Sequence, residues 1–444
     1  MPAPSFRLAL PLLALLVPPH LPPGVAPLPV ESAKHVRELL RTAEKYRGLK
    51  ALRSVPAGSM SPRRLKEQIK SAMPKDLPPE ALQALGTSLK AFGLIPETMD
   101  LGRYLPDLLS SQVAGFYDPD GKYLAVIDLP RGALGRGEKA ENEDMVLVHE
   151  LTHALQDQHF DLHRFEDPDP LSDGGTAKTA LVEGDATLAM LDATMKTSFE
   201  TMPGMDTVLA GMTRDPEALA ADSPDFPGAK EMSAAPAWVR DTLTFSYFQG
   251  LAFCVSAKQR GGQALLDYAF TTDPPRSTEQ ILHPEKWHTR RDDPIVLQFP
   301  DLAGELPGYR KAAEGEMGEL GLRILFRQNL KSREQADAAA AGWGGDRFAV
   351  YEKEGGRLIV WIAEWDSEAD AGEFRTALQS LAGWRVEQAG PTRILAAHGS
   401  LPDEAWGKVR GRLAAVTAER PANKEIDPKL LTPPPAAPSP AGGR

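Results

Sequence analysis

Two histidines four residues apart stand in the segment Met145–Phe160, which reads MVLVHELTHALQDQHF. On a helix, His149 and His153 project from the same face, so their imidazoles can bind one metal ion from consecutive turns. A catalytic zinc site uses three protein ligands and leaves one position open, so a third ligand must come from elsewhere. Glu183 is the candidate, because its apolar segment LVEGDATLAM predicts a second helix that can pack on the first.

The same pattern has a simpler interpretation, in which His149 and His153 are ordinary histidines on a core-facing helix. HExxH does occur by chance in long chains. However, the chain contains only nine histidines, and the motif lies in an apolar helical context followed at a usable distance by EGDA. These features favour a metal site with Zn²⁺ as the cofactor.

The segment HELTHALQD resembles the active-site helix of thermolysin and the related gluzincin zinc peptidases. The resemblance implies that His149, His153 and Glu183 are zinc ligands and that Glu150 is the general base. Asp157 also matches an aspartate of that helix, with an open role. The motifs are specific but cover little of the chain, which as a whole resembles a group of secreted bacterial proteins identified as metallopeptidases.

Composition and charge exclude some classes of protein. The chain has 444 residues, of which 42% are hydrophobic and 25% charged, so two domains are expected. Its net charge of −11 argues against a nucleic-acid partner, since phosphate binding needs clustered Lys and Arg. Cys254 is the only cysteine, which excludes an intramolecular disulfide and a cysteine-rich zinc site.

The N-terminus has the pattern of a secretory signal. Arg7 precedes an apolar stretch from Leu8 to Val17, which is followed by proline-rich sequence, and cleavage near Ala26 or Ala33 is consistent with it. The apolar stretch is shorter than the roughly 20 residues that a membrane-spanning helix needs, so we expect no stable membrane anchor. The predicted location is therefore periplasmic or extracellular.

Two segments before the motif are predicted to support it. Residues 31–92 have helical patterns and form either a short pro-segment or, as we favour, a helical flank of the catalytic domain. In residues 110–128, the β-rich runs VAGFY and KYLAVID are separated by DPDG, which predicts a hairpin. This hairpin either offers an edge strand to an extended peptide substrate or has a purely structural role.

Two aromatic side chains are candidates for stabilising an oxyanion, by analogy with the His and Tyr of gluzincin sites. Tyr247 lies in a long apolar segment, residues 237–262, which predicts a buried helix ended by two glycines. His283 follows a short helix whose capping box is formed by Ser277 and Gln280. His283 alternatively caps local carbonyls.

Taken together, the patterns predict an α+β fold. A largely helical, zincin-like metallopeptidase domain with a small β-hairpin or sheet is expected at residues 34–300, after a signal peptide and spacer at 1–33. A smaller α+β module with an antiparallel sheet follows at 315–420, with no visible catalytic group and no identifiable partner. Residues 421–444 are rich in proline, which predicts a disordered tail.

The leading hypothesis is a secreted zinc metallopeptidase that hydrolyses peptide or protein substrates. One alternative is an envelope binding or assembly protein that retains the metal-binding helix pair for structure. Against it, a structural zinc site has no use for a carboxylate such as Glu150 beside an open coordination position. Another alternative is a zinc hydrolase of cell-wall amides, which the sequence does not distinguish from a peptidase.

Overall fold

The fold is mixed α+β, as predicted. The computed structural model describes residues 21–112, 115–127, 138–214, 229–422 and 424–431. The predicted apolar signal stretch and the final 13 residues of the predicted tail, 432–444, lie outside these ranges. No helix in the described ranges is both long and apolar enough to cross a bilayer.

The helices before the C-terminal sheet are α1 Val30–Arg47, α2 Pro62–Asp76, α3 Pro79–Ala91, α4 Leu101–Gln112, α5 Glu138–Phe160, α6 Asp173–Met195, α7 Met205–Arg214, α8 Ala229–Ser233, α9 Ala237–Thr271, α10 Thr278–Leu282 and α11 Glu285–His288. The later helices are α12 Gly318–Asn329, α13 Arg333–Ala338, α14 Glu368–Ser380 and α15 Asp403–Ala414. Short 3₁₀ helices are Leu162–Phe165, Phe199–Thr201 and Pro428–Leu430.

The strands are β1 Ala26–Pro27, β2 Ala57–Met60, β3 Gly115–Asp118, β4 Tyr123–Ile127, β5 Val296–Leu297, β6 Arg310–Gly315, β7 Trp343–Lys353, β8 Gly356–Trp365, β9 Trp384–Gln388, β10 Arg393–His398 and β11 Ala418–Glu419. They form a four-stranded sheet of order β1-β2-β4-β3, a five-stranded sheet of order β6-β7-β8-β10-β9 and the short pair β5-β11.

The N-terminal sheet contains the predicted hairpin as strands β3 and β4, which pair antiparallel with Gly115 opposite Val126. In the DPDG turn, Gly121 donates its N–H to the Asp118 carboxylate and Lys122 adopts a left-handed conformation, with φ 55°. Strand β3 is at the edge of the sheet and β2 pairs parallel with β4 on the other side. The β2 strand is a difference from the sequence analysis, which predicted only helices between residues 31 and 92.

The helical core is built around α5, α6 and α9, which pack together with α1 on one side. Helices α6 and α9 cross closely, since a Cβ atom added at Gly184 would lie 2.1 Å from the carbonyl carbon of Gly250. Helix α9 has non-helical backbone at Gly261 and Gly262, where the sequence predicted its end, and a further helical segment follows the kink.

The C-terminal sheet is antiparallel throughout and is covered on both faces. One face joins the main hydrophobic core of the protein through Phe348, Trp361 and Ile394. The other face, with Ala349 and Val360, packs against α15 and the connector that follows α11. The helices and strands predicted after residue 317 are present, but β6 precedes the predicted module boundary at 315 and was missed.

The two regions share one core. Phe92, which ends α3, lies with its ring centroid 5.0 Å from that of Phe348, 5.4 Å from that of Trp361 and 5.9 Å from that of Trp384. The side chain is buried. The face of the C-terminal sheet is therefore completed by an aromatic residue from the N-terminal helices.

Candidate metal centre

The HExxH motif lies on helix α5, which runs through the centre of the helical core. Its apolar face is buried through Leu147, Leu151 and Leu155. His149 and His153 are each two residues from these leucines, so they project from the opposite side of the helix, where α6 packs. The packing of α5 on α6 therefore positions both imidazoles opposite Glu183.

The structure brings the three predicted ligands together. His149 Nε2 lies 3.0 Å from His153 Nε2 and 3.1 Å from Glu183 Oε2, and His153 Nε2 lies 3.5 Å from the same oxygen. The histidine side chains are 8% and 11% exposed and the Glu183 side chain is 23% exposed. The cluster is thus shielded but can be reached from the side of Glu183.

This arrangement fits a zinc ion. Ligand atoms about 2.0–2.1 Å from one zinc and at tetrahedral angles are roughly 3.3 Å from one another. The three observed separations lie on either side of that value. Two imidazole nitrogens and one carboxylate oxygen are also a ligand set of catalytic zinc sites.

The charges of the cluster also favour a bound cation. Burial alone would lower the pKa of His153, but the charge and hydrogen bond of Glu183, together with the charge of Glu150 and the hydrogen bond of Gln156, outweigh it and raise the pKa to about 9. Burial opposes ionisation of Glu183, yet the two histidines hold its pKa well below the usual range. The carboxylate and its neighbours are therefore arranged to hold positive charge between them, which a divalent cation also supplies.

Glu150 lies beside the cluster and is held by the edge strand. Its Oε2 accepts a hydrogen bond of 2.8 Å from the backbone N–H of Tyr117 in β3. Burial raises the pKa of Glu150, while the charges of His153 and His149 and the Tyr117 N–H oppose that increase. A raised pKa makes a carboxylate a better proton acceptor near neutral pH.

Asp157, whose role the sequence left open, fastens the hairpin to the motif helix. Its carboxylate accepts a hydrogen bond of 2.7 Å from the Tyr117 hydroxyl and one of 2.9 Å from Lys122. Arg53 approaches the same carboxylate at 3.3 Å. Because Asp157 fixes Tyr117, it also fixes the backbone N–H that Glu150 uses.

Tyr247 is brought to the cluster by helix α9. Its ring centroid is 5.8 Å from that of His149, and the residue is 41% exposed. The charge of Glu183 raises the pKa of Tyr247 well above its usual range. The hydroxyl therefore stays protonated at neutral pH and is available as a hydrogen-bond donor.

His283 has partners of its own. It ends helix α10, as predicted, and its Nε2 lies 3.0 Å from Glu319 Oε1 and 3.4 Å from an Arg323 nitrogen. Ser277 caps this helix by accepting the N–H of Gln280, but the Gln280 side chain accepts from Arg276 rather than from Ser277. The proposed role of His283 at the centre stays a prediction.

Sequence reasoning missed a chain of buried polar side chains behind His153. It consists of Gln156, Asp185 and Arg47, each of which is at most 2% exposed. The available signal was the spacing of Gln156 and Asp185, which fall on the faces of their helices that also carry His153 and core residues. Arg47 is far away in the sequence and gave no such signal.

The structure also gathers Glu279, Asp292 and Asp366 around one point. Lys286 Nζ occupies that point, lying 2.6 Å from Glu279 and 3.1 Å from Asp292. The carboxylates of Glu279 and Asp366 raise the pKa of Lys286 despite its burial. A lysine ammonium group therefore lies among these three carboxylates, where a metal ion would otherwise bind.

Comparison with known proteins relates only the C-terminal region to a family. Residues 305–426 match a family described as a domain of unknown function, DUF8575. No curated protein and no solved structure matches the chain. The matched range contains the five-stranded sheet and excludes every residue of the candidate metal centre.

Proposed function

We propose that the protein is a zinc-dependent hydrolase that cleaves peptide bonds. The convergence of His149, His153 and Glu183 on one point carries the proposal, because three ligand atoms from two helices match the needs of one zinc ion. Glu150, adjacent to this point, supports catalysis over a structural role. The resemblance of HELTHALQD to gluzincin peptidases agrees with both features.

The division of roles follows from the side chains. A zinc ion held by the three ligands would polarise a carbonyl and make a water molecule acidic. Glu150 takes the proton of the attacking water and delivers it to the leaving amine. Tyr247 donates a hydrogen bond to the oxygen that becomes negative in the transition state, since its hydroxyl is protonated and its ring lies beside His149.

The edge strand β3 supports a peptide as the substrate. The N–H of Tyr117 points away from β4 toward Glu150, and alternation along a strand directs the backbone groups of Gly115 to the same side. An extended peptide that pairs with this side of β3 lies next to the general base. Pairing through backbone groups brings a peptide bond to Glu150 without requiring particular side chains.

The proposal is tested by metal content and by Glu150→Gln. The purified protein should contain about one zinc per chain, and His149→Ala or Glu183→Ala should lose it. Glu150→Gln should keep zinc and reduce cleavage of a peptide library by a factor on the order of 10² to 10⁴. Full turnover of this variant with zinc bound would disprove the peptidase mechanism and favour the binding-protein alternative.

A substrate library that includes cell-wall fragments distinguishes the peptidase from the other alternative, a zinc hydrolase of cell-wall amides. Cleavage of amides in these fragments, with peptides left intact, would assign the centre to an amide hydrolase of the cell wall. Cleavage of peptides alone supports the peptidase.

Export through the N-terminal segment is part of the proposal. It is supported by Arg7 and the apolar stretch that follows it. Residues 1–33 fused to a reporter should direct it out of the cytoplasm in soluble form. Retention of the reporter in the membrane fraction would contradict this.

A further inference from the structure

The side chain of Gln156 lies one turn after His153 on α5 and is fully buried. Its Oε1 is 2.8 Å from His153 Nδ1. Its Nε2 donates to the carbonyl oxygen of Val182 at 3.0 Å and to the carboxylate of Asp185 at 2.8 Å. Both of these partners are acceptors, so the amide has only one orientation that satisfies them, with Nε2 toward α6 and Oε1 toward His153.

This orientation determines the protonation of the imidazole. An amide oxygen accepts but cannot donate, so His153 must carry a hydrogen on Nδ1 to make the bond. In the neutral ring the lone pair is then on Nε2, which is the atom that faces His149 and Glu183. We infer that Gln156 is a positioning residue, which fixes the tautomer and the orientation of His153 for metal binding.

Asp185, which holds Gln156, is connected in turn to residues of two further helices, α1 and α9. Asp185 Oδ2 also accepts a hydrogen bond of 2.5 Å from Arg47 Nε, at the end of α1. A second nitrogen of Arg47 lies 2.8 Å from Asp267 in α9. Arg47 is 2% exposed and its guanidinium lies 5.6 Å from the ring centroid of Phe160. Partners of a ligand's second nitrogen commonly set metal affinity, which gives this buried chain a function beyond packing.

The inference rests on the proposed metal centre and deepens it. Gln156→Met keeps a side chain of similar length but removes the acceptor for the Nδ1 hydrogen. Its zinc affinity, measured by competition with a chelator, should fall about 10- to 100-fold. Thermal unfolding of the zinc-free protein is measured in parallel, so that affinities are compared only between folded proteins.

Gln158→Met is the matched control. Gln158 is on the same helix, but its Oε1 accepts the backbone N–H groups of Leu52 and Arg53 and is not part of the buried chain. This variant should bind zinc as tightly as the wild type. An equal loss of affinity in both variants would show that disturbance of α5, rather than the bond to His153, sets the affinity.

A measurement on the wild type needs no variant. With ¹⁵N-labelled histidine, the Nδ1 hydrogen of His153 in the zinc-loaded protein should exchange slowly with water, because the buried Gln156 oxygen accepts it. A rapidly exchanging Nδ1 hydrogen would overturn the positioning role, as would wild-type zinc affinity in Gln156→Met. A wild type that binds no zinc would overturn the metal centre first and this inference with it.

Discussion

At the scale of single residues, Tyr247 is a candidate hydrogen-bond donor. It lies beside His149, and its hydroxyl is protonated at neutral pH. If it stabilises the transition state, Tyr247→Phe should lower kcat by roughly 10² and leave KM nearly unchanged. Steady-state kinetics on a cleaved peptide measure this. Zinc content is the control and should not change, since Tyr247 is not one of the predicted ligands. An unchanged kcat would move the role to another donor, of which His283 is the next to test.

Asp173 gives a prediction about pH. It is buried at the start of α6, where burial raises its pKa to about 8 despite hydrogen bonds from Thr278. Glu316 and Asp346 lie close enough to raise the pKa further. The carboxyl group is therefore neutral in the folded protein at pH 7, although its ordinary pKa of about 3.9 makes it charged in the unfolded chain.

The direction in which Asp173 changes stability with pH follows from the difference between its pKa values in the folded and unfolded states. Since the folded state binds the proton more tightly, the contribution of Asp173 to stability is complete below about pH 4 and is lost as the pH rises through 8. Asp173→Asn imitates the neutral form and should not show this loss. The difference in melting temperature between Asp173→Asn and the wild type should therefore increase from pH 5 to pH 8.5. A constant difference would contradict the raised pKa.

The residues of the centre were predictable to different degrees. His149 and His153 follow from helical spacing, Glu150 from the resemblance of HExxH to gluzincin peptidases, and Glu183 from an apolar segment at a suitable distance. Gln156 and Asp185 are polar residues whose burial depends on partners in other elements. The charge of Asp185 is paired with Arg47, which donates a hydrogen bond to it and is 138 positions away in the sequence. Local patterns hold no information about a contact of that kind.

At the scale of elements, the close crossing of α6 and α9 sets the position of Glu183, the proposed third ligand. A Cβ atom at Gly250 would lie 2.0 Å from the carbonyl oxygen of Ala180, which is a backbone atom that cannot move aside alone. Gly250→Ala should separate the helices that carry Glu183 and Tyr247. We expect a loss of roughly 1–3 kcal/mol in stability from overpacking, together with weaker zinc binding.

Gly211→Ala is the control for helix propensity. Gly211 lies in α7, and a Cβ atom there would have no heavy atom within 4 Å in its surroundings. This substitution should leave zinc binding unchanged and stabilise the protein by about 0.5–1 kcal/mol. Thermal unfolding and chelator competition on both variants make the comparison. Unchanged zinc affinity in Gly250→Ala would show that the crossing does not position the ligand.

The elements themselves were predicted best where the pattern is local. The DPDG turn and the alternating strands of the C-terminal module have strong short-range signals, and their hairpins are present. Strand β2 has the short sequence AGSM, and what makes it a strand is its parallel pairing with β4, Ala57 opposite Leu124. Strand β6 is rich in polar residues and pairs with β7 at the sheet edge. Both required knowledge of the partner.

At the scale of the whole molecule, Phe92 connects the N-terminal helices to the DUF8575 region. Its ring contacts Phe348, Trp361 and Trp384 in edge-on or tilted geometry. Phe92→Ala should cost about 3–5 kcal/mol, because it leaves a cavity in the shared core. Denaturant unfolding should still show one transition, shifted to lower concentration for probes in both regions. Two separated transitions in the wild type would show that the regions unfold independently.

The order in which the chain is synthesised gives the centre a further property. Arg47 leaves the ribosome long before its partners Asp185 and Asp267. Strand β2 likewise emerges before its partner β4, so neither contact can form until the later segment has been synthesised. His149 and His153 of α5 meet Glu183 only after α6 has emerged, and Tyr247 and Asp267 are synthesised later still. Closing such long loops costs entropy, so these contacts form more slowly than local ones. A growing chain therefore has no assembled candidate metal centre until both α6 and α9 have been synthesised.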